Sequence, residues 1–264
     1  MKMPIFLRAL VGFLVLSSVG LAHDFWLDPS AWEFSISKPT TVTLRVGENF
    51  IGDSVPRYET GIERFSFVNA RGETKIAGIN GQSPAGTIAP RPSESAILLY
   101  RSRRTAIEIE PAKFESYLRE EGLERIVTER AKRGESGKPA KEVFSRAAKA
   151  IVGKPDAASK GLVSKSHGLT LELIPLGDPR VRSRQGNSFR LLYRGKPLEG
   201  ALVVAFSKKN PRAKVSARTD RSGKVALSID TSGEWIVKSV HMSRINENVA
   251  DWESIWASLT FLRV

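Results

Sequence analysis

Thr40-Thr41-Val42-Thr43-Leu44-Arg45-Val46 alternates polar and apolar side chains and stops at Gly47. A period of two places Val42, Leu44 and Val46 on one face of an extended strand and Thr41, Thr43 and Arg45 on the other, as a half-buried strand requires. Residues 62–68 repeat the pattern before an Asn69-Ala70-Arg71-Gly72 turn, and 95–100 and 105–110 are further strand candidates. From Gly168 onward the texture returns: Leu169 to Pro175 enters a Leu176-Gly177-Asp178-Pro179 turn, and strands are expected at 189–193, 201–206, 215–218, 224–229 and 234–241. The joints 194–200 and 219–223 have tight-turn compositions. Short strands separated by Gly and Pro favour antiparallel sandwiches over strand-helix-strand units.

Between Pro111 and about Gly161 the spacing changes to three and four, at 112–119, 123–127 and 141–152, around a Gly134-Glu135-Ser136-Gly137-Lys138-Pro139 loop. The expected class is therefore mainly β: two antiparallel sandwich modules of immunoglobulin-like or prealbumin-like type, 23–166 and 167–264, the first carrying a helical insertion over about 111–161.

The chain has 264 residues, 41 Lys+Arg against 28 Asp+Glu, three His and no Cys. Disulfides, Fe–S clusters, thiolate zinc sites and a Cys nucleophile are excluded by the missing sulfur. A formal charge of +13 raises nucleic-acid binding. Against it, the first 22 residues read as a secretory signal peptide. Lys2 and Arg8 precede the apolar run 9–16, and Gly20 and Ala22 offer small residues for cleavage. An uncleaved anchor is the competing reading, but the apolar run is shorter than the roughly 20 residues of a span. Export to the periplasm or medium removes nucleic acid as partner and leaves anionic cell-surface contact for the basic patches; Arg101-Ser102-Arg103-Arg104 is the one dense cluster. The reading preferred for such patches is that they only solvate the surface.

Several segments resemble a known family. Ala22-His23-Asp24-Phe25-Trp26-Leu27, Leu44-Arg45-Val46-Gly47, the strand 168–175, Gly233 to Lys238 with Val240-His241-Met242, and Asp251 to Phe261 occur in the order found in the secreted bacterial domain-of-unknown-function family 4198. The resemblance covers essentially the whole chain after residue 22. Members of that family are labelled as similar to the substrate-specific component of nickel or cobalt uptake systems, which implies a periplasmic metal-handling role and a metal-transport membrane component as partner. The second half also resembles transthyretin-related and carboxypeptidase-regulatory sandwiches, through Gly195-Lys196-Pro197-Leu198-Glu199-Gly200-Ala201 and Thr219-Asp220-Arg221-Ser222-Gly223.

Read from the residues, cleavage after Ala22 gives His23 both a free α-amine and an imidazole that close a chelate ring on one ion. A second histidine completes a three-nitrogen brace suited to Cu(II) or Ni(II). Strand alternation puts Trp235, Val237, Ser239 and His241 on one face, which makes His241 the expected partner. Asp24, Asp251 and Glu253 are the carboxylates able to complete a site, their oxygens being compatible with divalent nickel, cobalt or zinc; the ion expected overall is nickel, cobalt or copper. Glu48 is a weaker candidate, and His167 sits in a polar connector. Hydrolase readings fail on inventory: there is no Gly-x-Ser-x-Gly elbow, His-Glu-x-x-His helix or Walker loop. The expectation is a non-enzymatic, exported metal-binding accessory. The alternatives are a sandwich module that binds protein or polysaccharide without metal, and an oxidative copper enzyme using the same brace.

Overall fold

The computed structural model describes residues 23–35, 37–89, 94–182 and 187–264. The expected leader, 1–22, lies outside them. β1 (Asp24–Pro29), β2 (Thr40–Glu48), β3 (Ile51–Val55), β4 (Ile62–Asn69), β5 (Gly72–Lys75), β6 (Gly86–Ile88), β7 (Ala96–Ser102) and β8 (Thr105–Ile109) precede α1 (Pro111–Glu120) and α2 (Glu124–Lys132). β9 (Ala140–Val152) and α3 (Ala157–Val163) lead into β10 (Leu171–Pro175), β11 (Asn187–Tyr193), β12 (Lys196–Pro197) and β13 (Leu202–Ser207). β14 (Val215–Arg218), β15 (Lys224–Leu227), β16 (Gly233–Glu247) and β17 (Ala250–Arg263) complete the chain. Among the described residues no helix is long and apolar enough to cross a membrane.

The mainly β sandwich architecture holds. Each half of the chain supplies a four-stranded outer sheet, β1-β2-β3 with β6 and β10-β11-β12 with β15. The halves share a nine-stranded middle sheet ordered β14-β13-β16-β17-β9-β7-β4-β5, with β8 also on β9. All its pairings are antiparallel except β17 with β9, which is parallel from Trp252↔Glu142 to Phe261↔Ile151.

Alternation along the middle strands sorts side chains between two cores. Leu98, Tyr100, Ala148, Ala150 and Val152 pack with Phe25, Leu27 and Leu44 of the first outer sheet. Ile97, Leu99, Ala147, Ile151, Ile255, Ala257 and Leu259 pack with Leu171, Leu173, Phe189 and Leu191 of the second. The molecule is thus three-layered, with α1 and α2 beside the first outer sheet. Phe114, Tyr117, Leu118 and Ile126 of these helices close over Val240, Met242, Trp252 and Trp256. α1 opens on Pro111, whose missing N–H costs nothing there. Gly122 turns the chain into α2 at φ +69°, where a Cβ would lie 2.7 Å from that of Leu202.

One expectation is corrected. Residues 141–152, read as helical, are strand β9. Ala147 to Val152 are buried at every position, because β9 is covered on both faces and bonded on both edges. A strand covered on both faces reads as a continuous apolar run, and an Ala-rich run is indistinguishable by period from a helix. The helical excursion is therefore confined to α1, α2 and the short α3.

Candidate site at the amino-terminal end of the first strand

β1 lies over β17, where the Thr260 hydroxyl donates to the Leu27 carbonyl at 3.0 Å. Its odd residues lean toward β9 and its even residues toward β16. Phe25 and Leu27 join Ala148 and Ala150, whereas Trp26 joins Phe206 and Ile236. Asp24, 5% exposed, meets the Lys238 ammonium at 2.6 Å. The same ammonium lies 2.8 Å from Glu121, just past the end of α1. Burial alone would lower the Lys238 pKa, but the two carboxylates outweigh it and hold the pKa above its ordinary value. Burial pushes Glu121 up, with Lys238 opposing. The triad fixes the first residue of β1 to the middle sheet and to the helices.

His23 precedes this anchor. Extending the β1–β2 register beyond Asp24↔Gly47 sets it opposite Glu48, and its Nε2 lies 3.5 Å from Glu48 Oε1. Its Nδ1 is buried with no hydrogen-bond partner among the described residues. Glu48 is held by the β2–β3 hairpin, whose turn residues Asn49 and Phe50 take φ of 53° and 60°. Two left-handed residues in succession match a type I′ turn, normally the preserve of Asn-Gly. Phe50 adopts this conformation with its ring packed edge-on against Trp26 at 5.7 Å and Phe206 at 5.6 Å.

The floor of the site comes from β9 and β17, where Arg146 is registered with Trp256 and Phe144 with Ser254. The Arg146 Cζ lies 4.9 Å from the Phe25 ring centre and 5.5 Å from that of Phe144. Burial lowers its pKa to about 10, against a smaller opposing effect of Tyr100. Farther along β9, Glu142 is 1% exposed. Its Oε1 accepts from the Ser254 hydroxyl and from Tyr117 at 3.4 Å, while Oε2 is buried without a partner among the described residues. Burial pushes Glu142 up to about 7, with those two hydrogen bonds opposing. Tyr117 stacks on Trp256 at 5.2 Å and roofs this end of the layer.

The five expected metal ligands do not meet. His241 shares its side of β16 with Trp235 and Val237 and so faces the second outer sheet, its ring centre 4.3 Å from that of Tyr193. Asp24 touches Lys238, on the opposite side of the same strand. The middle sheet therefore lies between the face on which Asp24, next to His23, is anchored and the face that His241 joins. Burial, then Arg125 and Arg194, lower the His241 pKa to about 4. Glu253 is the diagonal neighbour of His241 across β16 and β17, but Arg194 at 3.0 Å and Arg104 at 3.3 Å already pair with it. Asp251 is exposed, with Arg244 4.0 Å away. Among the described residues no group of three or more His, Asp and Glu is placed to hold a metal ion. Within the basic cluster, Arg101 pairs with Glu63 and Arg104 with Glu247.

Sequence reasoning missed Lys238, Glu121, Arg146 and Glu142. The signal for Lys238 was present, a lone ammonium between Ile236 and Val240 on an apolar alternation. Arg146 and Glu142 were hidden by the helical reading of their strand.

No curated protein and no solved structure matches the chain at a significant level. One family model matches residues 21–243, from just before β1 to near the end of β16. The chain therefore belongs to the family described as domain of unknown function DUF4198.

Proposed function

We propose that the protein is exported, loses residues 1–22, and holds one divalent transition-metal ion (copper, nickel or cobalt) at the amino terminus so created, as a periplasmic accessory of metal uptake or tolerance. The observation that carries the reading is the His23 ring. Its Nδ1 is buried without a partner among the described residues, while Nε2 faces Glu48. A carboxylate beside one ring nitrogen favours the proton there and leaves the other as a lone-pair donor, the second-shell arrangement common to histidine metal ligands. Cleavage after Ala22 would add the α-amine of the same residue and close a chelate ring through Nδ1. The Asp24–Lys238–Glu121 triad supports the reading by holding the terminus still. His241, Asp251 and Glu253 have no part in it, and Asp24 acts as anchor rather than ligand.

Calorimetric titration of the exported protein with Cu(II), after intact mass has established its first residue, tests this. The expected result is one ion per chain, with affinity reduced at least about a hundredfold by His23→Ala and by one extra residue ahead of His23. Affinity should be unchanged by His241→Ala. Both donors must be free of protons to bind, so binding weakens as the solution is acidified. Binding indifferent to His23→Ala, or absent, returns the protein to the class of sandwich modules that bind protein or polysaccharide.

A further inference from the structure

Arg146 has an environment unlike that of the other buried arginines. Arg57 donates to the carbonyls of Ile76 and Ala85 and pairs with Glu59. Arg130 donates to the carbonyls of Glu135 and Lys138, Arg180 pairs with Asp178, and Arg263 donates to Pro179, Val181 and Asn187. The Arg146 guanidinium makes no hydrogen bond or ion pair with any described residue; it lies against two aromatic rings within electrostatic reach of the neutral Tyr100 phenol, and its backbone N–H donates to the Ser102 hydroxyl. Its nitrogens are not sealed from solvent, and the residue is half-buried. A guanidinium taken largely out of water without a counter-charge is costly.

No neighbouring carboxylate is free to supply that charge. Asp24 and Glu121 share Lys238, Glu48 faces His23, and Glu142 is turned to Ser254 and Tyr117. With rings on its flanks, the guanidinium still offers its donor fork, which matches the two coplanar oxygens of a carboxylate. Phe25, Phe144 and Trp256 surround it with apolar surface, which suits an organic body better than a strongly hydrated phosphate. We infer that Arg146 anchors a subsite for a small organic carboxylate, its acid group on the guanidinium and its apolar part against Phe144 and Trp256. The subsite needs neither a metal ion nor a new amino terminus and stands apart from the metal reading.

The test is titration of the metal-free full-length chain with benzoate and with inorganic phosphate, read by calorimetry and by tryptophan fluorescence, since Trp256 flanks Arg146. The expected result is saturable benzoate binding at or below about 10 mM, weakened at least about tenfold by Arg146→Met and by Arg146→Gln, with no saturable response to phosphate. Arg146→Met removes an unpaired charge and keeps the volume, so the variant should fold, and an unchanged far-ultraviolet dichroism spectrum verifies it. Absence of benzoate binding overturns the proposal. So does benzoate binding that survives both substitutions, or phosphate binding as tight as that of benzoate.

Discussion

Strand β9 turns a cation toward each face of the middle sheet, Lys149 buried and Arg146 half-buried, and the two are treated in opposite ways. Lys149 faces the second outer sheet at 2% side-chain exposure, 3.0 Å from a Glu172 carboxylate that is itself 1% exposed. That carboxylate also accepts from the Ser166 hydroxyl and from the backbone N–H groups of His167 and Gly168. Every oxygen there is used, and the cluster ties the connector before β10 to the sheet. Three residues earlier, Arg146 faces β1 with no anion, its guanidinium against the Phe25 ring. A satisfied buried cluster specifies a fold, whereas an unsatisfied one at the mouth of a layer is where a ligand gains most. The contrast gives one face of β9 a structural cluster and makes the other the face on which binding is proposed.

The largest expected effect lies on the closed face. Glu172→Ala leaves Lys149 buried and unpaired and should cost about 3–5 kcal/mol of unfolding free energy in urea melts. A cost under about 1 kcal/mol would mean that the pair is not sealed as described.

Acid and base should then separate the two faces. Glu142 is raised to about 7 from an ordinary 4.5. The folded protein therefore binds its proton more tightly than the unfolded chain does. Its contribution is complete below about 4.5 and is lost as pH rises toward 7, amounting to about 3 kcal/mol at most. His241 is lowered to about 4 from 6.5, so its contribution is present above 6.5 and is lost as pH falls toward 4. That loss is the smaller, because the ring is only partly buried and solvent screens it. Urea midpoints across pH 4 to 8 should show Glu142→Gln removing the decline on the alkaline side and His241→Phe removing the decline on the acidic side. A pH profile that both variants leave unaltered contradicts these environments.

The smallest effect has the opposite sign to the first. Arg146→Met exchanges an unpaired cation for an apolar chain of similar length and should stabilise by about 1 kcal/mol, a rise of a few degrees in Tm. Destabilisation would reveal a counter-charge at Arg146 and dissolve the contrast with Lys149.

These clusters also mark where the sequence stopped being informative. Alternation in 40–46 and 234–241 identified β2 and most of β16, and grouped His241 with Trp235 and Val237 correctly. Which of the two faces β1 would cover is a tertiary choice that no strand pattern encodes, and so His23 and His241 were expected together. The polar residues of β9 were lost for another reason. A run such as Ala147-Ala148-Lys149-Ala150 has helical propensity, and only pairing with β17 and β7 makes it a strand. Once that strand is assigned, the alternation of Glu142, Phe144 and Arg146 toward β1 follows from the pleat.

The claim that metal chemistry belongs to the β1 face and not to the His241 face is tested most directly by electron paramagnetic resonance of the exported protein with one equivalent of Cu(II). The account predicts a single species with nitrogen couplings, abolished by His23→Ala and unchanged by His241→Ala. A spectrum that survives His23→Ala, or that His241→Ala abolishes, would contradict it.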